Sequence, residues 1–85
     1  MLYIVELNTA AQRDYTKLDH SISVRVSEAI EELEDEPRPR GCVKMVGKGD
    51  RYRVRVGTYR IVYMVDDTAH VVTVERIQHR REVYR

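Results

Sequence analysis

Arg51, Arg53 and Arg55 alternate with Tyr52, Val54 and Val56. In an extended chain that alternation puts three guanidinium groups on one face and three apolar side chains on the other. Guanidinium stays charged at any physiological pH and meets phosphate oxygens with a fork of donors, so the stripe suits binding of a phosphodiester better than proton transfer. Gly57-Thr58 fits a two-residue hairpin loop with glycine at the first central position, as a type II′ turn prefers. That loop sets Val56 against Tyr59, Arg55 against Arg60, Val54 against Ile61 and Tyr52 against Tyr63. Like charges directly across an antiparallel pair destabilise it, and a bound phosphate would account for Arg55 standing beside Arg60. The plainer alternatives are a solvated arginine face and an ion pair between Arg60 and Glu75.

The elements that must hold this stripe are legible in outline. Leu2 to Leu7 alternate as a first strand. Thr9-Ala10-Ala11-Gln12 fits a capping box for a short helix carrying Ala11, Tyr15 and Leu18 on one side. After Asp19-His20, the stripe Ile22, Val26, Ala29, Ile30 and Leu33 predicts a longer helix that ends at the acidic run before Pro37. The stiff basic connector PRPRG leads to a short strand at 42–46 and the turn Gly47-Lys48-Gly49-Asp50. Strands near 51–56 and 59–65 follow, and Val71, Val72, Val74 and Ile77 mark the last. The reading is a single α+β domain over residues 1–85. It has an N-terminal strand, a helical hairpin, and an antiparallel meander whose one sheet face the helices cover while the other stays open. With Asp67-Thr68 as a two-residue loop, Glu75 would lie across from Arg60 on the open face.

At 85 residues and 10.0 kDa the chain is too small to enclose a deep pocket, so a polymer lying across an open face is the expected ligand. Net charge is +1 overall but uneven. Residues 1–36 carry −6, residues 37–63 carry +7 with Asp50 their only acid, and residues 64–85 balance. A local basic face suits a nucleic-acid binder. Cys42 is the only cysteine, which leaves no internal disulfide or multi-cysteine zinc site and fits a reducing cytoplasm. No apolar run reaches the roughly 18 residues of a membrane span. The start MLYIVELN lacks the basic lead and length of a signal peptide. No membrane contact is expected, the expected location is cytoplasmic, and no pair of histidines has metal-ligand spacing.

The order of elements, the run YRVRVGTYRIVY at 52–63 and the tail HRREVY at 79–84 together resemble the RelE/ParE superfamily of toxins, over the whole chain. The resemblance implies a toxin of a type II toxin–antitoxin pair, neutralised by a cognate antitoxin protein. In the RelE branch it implies a ribosome-dependent mRNA endonuclease without metal or cofactor. The ParE branch implies instead a DNA gyrase inhibitor without the nuclease residues, and a non-catalytic RNA-binding homologue is a third reading. By resemblance Arg60 holds the scissile phosphate, Arg80 assists the leaving group and Tyr84 sits near the cleaved base. Arg53 and Arg55 stand where better-known members have lysines, one of them the proposed general base.

Metal-free RNA cleavage needs a deprotonated 2′-hydroxyl, positive charge around the pentavalent phosphorus and an acid for the 5′-oxygen. Arginine supplies the second well and the others badly. His79, with a reference pKa near 6.5, suits proton transfer if it reaches the open face. Tyr84 can stack on a base or pin the tail to the sheet. Lys44, Lys48, Arg51 and Arg81 are read as RNA-binding, Lys44 and Lys48 steering the strand near the glycine turn.

Overall fold

In the computed structural model, which describes residues 2–47 and 49–83, the chain runs β1 (Ile4–Leu7), α1 (Thr9–Thr16), α2 (His20–Asp35), β2 (Val43–Lys44), β3 (Arg51–Val56), β4 (Tyr59–Asp66), β5 (Val71–His79) and α3 (Arg80–Val83). This is the α+β order expected from the sequence, with a short closing helix added. The strands form one sheet in the order β1-β5-β4-β3-β2. Strands β2 to β5 make an antiparallel meander, and β1 lies parallel to β5, so the sheet is mixed.

Local chemistry sets the helix ends. Asn8, one residue before the expected Thr9, caps α1: its side-chain oxygen accepts the Ala11 N–H at 2.9 Å. Asparagine outranks threonine as a cap. Helix α2 stops before Pro37, as the ring of proline disfavours helical geometry in the residue preceding it, and Glu36 is already extended. The apolar stripes of both helices cover one sheet face. Ala11, Val26 and Leu33 from the helices are fully buried with Ile61, Tyr63, Val72 and Val74. Each buried aliphatic contributes about 1.5–3 kcal/mol relative to an exposed one. We call this the helix face and the opposite side the arginine face.

The β3–β4 hairpin has the predicted register, with Arg55 opposite Arg60 and Tyr52 opposite Tyr63. Gly57 has φ +60 while Thr58 does not take positive φ, which fits a II′ turn and not a I′ turn.

The β4–β5 register differs from the expectation. The turn between these strands takes four residues instead of two, Asp66 pairing with Val71. The Asp66 carboxylate accepts the Ala69 N–H at 2.9 Å, and His70 adopts φ 56. A bulge then follows: Tyr63 pairs with Val74 but Val62 with Arg76, leaving Glu75 as the extra residue. The longer turn and the bulge together slide β5 three residues, so Gln78, and not Glu75, lies opposite Arg60. The bulge also inverts the pleat. Val72 and Val74 face the helices, and after it the buried position is Ile77, an odd step in an otherwise two-residue period.

Beyond the bulge β1 no longer covers β5, since their pairing ends at Leu7 and Val74. Asp14 of α1 fills the gap, accepting the Ile77 backbone N–H at 2.9 Å and two hydrogen bonds from Arg76 at 2.8 and 3.3 Å. Partial burial works against ionisation of Asp14, but these bonds outweigh it and hold its pKa below the usual carboxylate value.

Candidate functional site

Strand β3 presents Arg53 and Arg55 on the arginine face, and β4 presents Arg60 beside Arg55. Arg60 is buried, 7% exposed, the one charged residue among the core-level burials of the described residues. Strand β2 pairs only with Tyr52 and Arg53, so the β3 edge from Val54 onward borders open space. A groove of about 380 Å³ occupies that space, lined by Arg40, Gly41, Val43, Arg53, Val54, Arg55 and Arg60. Its lining holds four guanidinium groups and no carboxylate. The sequence reading missed Arg40. Its signal was the connector itself: Gly41 follows it with φ +90, and Cys42 N–H donates to the Pro39 carbonyl at 3.0 Å. Glycine at the third position is what a type II turn demands.

Two neighbouring arginines, Arg51 and Arg38, are engaged in ion pairs. Arg51 forms a two-pronged ion pair with Glu75 at 2.7 and 3.1 Å across the arginine face. The carboxylate considered for Arg60 is thus taken by Arg51, which the bulge brings within its reach. Arg38 donates to both Asp67 oxygens at 3.1 and 2.8 Å and to the Tyr52 hydroxyl at 2.9 Å. Tyr3 also donates to Asp67, at 2.6 Å. Hydrogen bonds from Arg38 and then Tyr3 lower the Asp67 pKa to about 2. The same corner holds Tyr63, whose hydroxyl donates to the Pro37 carbonyl at 2.8 Å. Burial pushes that phenol well above its ordinary value.

The remaining expected site residues divide. Arg80 opens α3 two residues beyond Gln78, the residue opposite Arg60. Its backbone N–H donates to the Thr58 carbonyl at 2.7 Å, which ties it to the end of the sheet where Arg55 and Arg60 meet. Arg81 is exposed in the next position. His79 lies opposite Tyr59, their rings edge to face at 5.1 Å. It lines a second depression of about 340 Å³ with Asp14, Lys17 and Arg76. That depression is on the helix side, because the bulge inverts the pleat before His79, so the imidazole does not reach the arginine groove. Lys44 pairs with Tyr52 and occupies a helix-face register position, exposed at the sheet edge. Tyr84 and Lys48 lie outside the described residues.

Residues 5–84 match the family described as ParE toxin of type II toxin-antitoxin system, parDE. Toxin RelG of Mycobacterium tuberculosis is 36% identical over 86 residues, spanning 100% of this chain and 99% of that one. The fold matches the crystal structure of the archaeal RelE–RelB complex from Pyrococcus horikoshii with a TM-score of 0.84, at 30% identity over 94% of this chain and 97% of that one. It matches the isolated E. coli RelE toxin with a TM-score of 0.81, at 28% identity over 96% of this chain and 90% of that one.

Proposed function

The chain belongs to the RelE/ParE superfamily, as a RelE-like toxin of a type II toxin–antitoxin system, and we propose that it cleaves messenger RNA on the ribosome without a metal. The observation that carries this reading is the groove in which Arg53, Arg55 and Arg60 meet beside an uncovered strand edge. In the proposed reaction the 2′-oxygen of one nucleotide attacks the adjacent phosphorus and loses its proton. The bond from phosphorus to the 5′-oxygen breaks, and that oxygen gains a proton. The products are a 2′,3′-cyclic phosphate and a 5′-hydroxyl.

Arg60 and Arg55 stabilise charge on the non-bridging oxygens, which grows toward the pentavalent state. Arg53 holds the strand in register, and Arg80 approaches the leaving oxygen. Tyr84 stacks on the base beside the cut. His79, turned to the helix face, is assigned no proton transfer. Arginines carry protons poorly near neutrality, so the rate derives chiefly from charge stabilisation and from a ribosome that presents the transcript already bent. The protein partner is a cognate antitoxin, in line with relatives solved as RelE–RelB complexes.

Purified toxin added to ribosomes carrying a defined mRNA tests the reading. Cuts within ribosome-positioned codons, lost in Arg60→Ala, are expected. Intact mRNA together with blocked gyrase supercoiling would replace it with the gyrase reading, which the ParE description of the matching family favours.

A further inference from the structure

We infer that Arg40 is a substrate-binding residue that grips a phosphate next to the one held at Arg60, so that the groove spans two successive phosphates. The nature of the strand rests on the endonuclease reading; the placement of the charge rests on one turn. Residues 39–42 close that turn through the bond from Cys42 N–H to the Pro39 carbonyl, with Arg40 at its corner and Gly41 at φ +90. The base is anchored twice, by the Tyr63 hydroxyl on the Pro37 carbonyl and by Arg38 on Asp67 and Tyr52. Two prolines restrict the backbone between. A guanidinium carried on so stiff a support surrenders little freedom when it binds.

Charge balance points the same way. Arg40 makes no hydrogen bond or ion pair with any described residue, unlike Arg38 two positions before it. A phosphodiester carries one negative charge, whereas Arg40, Arg53 and Arg55 alone bring three positive ones to a groove lining without a carboxylate. The groove holds about 380 Å³, the volume of roughly a dozen liquid waters and several times that of one phosphate group. A second phosphate fits the space and offsets the surplus charge.

Titration of a short fluorescent RNA with the full-length toxin, over a range of salt, tests the assignment. Arg40→Ala weakens binding about tenfold and lowers the log–log salt slope by about one. Arg40→Lys recovers part of the affinity. Arg13→Ala, which removes the same charge from exposed α1, leaves binding unchanged. On ribosomes Arg40→Ala raises the toxin concentration for half-maximal cleavage and spares the saturating rate. Equal effects of Arg40→Ala and Arg13→Ala, an unchanged salt slope, or a loss confined to the saturating rate would each overturn it. A wild type that binds RNA in an Arg40-dependent way yet cuts nothing on ribosomes would sink the endonuclease reading and keep this one.

Discussion

Two arginine-rich corners stand within two residues of each other on the connector, and they are built on opposite principles. Around Arg38 the charge is answered inside the protein by Asp67, with Tyr3 and Tyr52 completing the set. Around Arg40 four guanidinium groups line one groove with no carboxylate among them. The first corner fastens the connector to the sheet. The second gathers positive charge around a groove that an anion from outside can enter. Residue type alone does not separate structural from functional arginines; whether a carboxylate stands within reach does.

The sharpest way to break this contrast is to remove Arg60. Arg60→Ala should lower the cleavage rate on ribosomes by about 100-fold or more, the scale of losing one preorganised donor to a developing oxyanion, with circular dichroism unchanged. Retention of most of the rate would return the groove to the status of solvated surface. Arg55→Ala separates the corners differently. Cleavage should fall by about tenfold, yet thermal unfolding should show equal or greater stability, because relief of a like-charge pair directly across the hairpin is worth about 0.2–1 kcal/mol. A clear loss of stability would mean that Arg55 belongs with Arg38.

Tyr63→Phe strikes the support that both corners share. It strands the Pro37 carbonyl, and urea unfolding should show a loss of about 1 kcal/mol together with weaker RNA binding. The smallest effect is on acid stability. Asp67 has a depressed pKa in the folded protein, so its contribution is complete above the unfolded value near 3.9 and is lost as pH falls toward about 2. Melting temperatures measured from pH 5 to 2 should fall less steeply in Arg38→Ala than in the wild type, once the raised baseline loss from the missing pair is subtracted.

Sequence pattern and structure agree where short-range rules dominate. A two-residue loop with glycine first leaves one register for β3 and β4, so Arg55 facing Arg60 is legible from the residues alone. The stripe from Ile22 to Leu33 and the stop at Pro37 are equally local. What pattern misses depends on contacts distant in sequence. The β4–β5 turn is longer than two residues because Asp66 caps it and the His70 carbonyl receives Ile4 from β1. Arg51 finds Glu75 only through the bulge. Arg40 enters the groove through a glycine turn whose geometry the string PRPRG contains but does not announce. The step from Val74 to Ile77, three residues where two were due, was the visible trace of the bulge.

That extra residue has a larger effect than its size suggests. Glu75 acts as a half-twist in a ribbon: every side chain after it swaps sides with its neighbour. A strand that kept all its residues and ran in strict two-residue alternation past this point would send the imidazole at 79 out over the guanidinium cluster and turn the glutamine at 78 in beneath the helices. A general base would then stand near the phosphate, at the expense of a polar group in the core. One unpaired position therefore decides that this surface works by charge and grip, with the protons left to others.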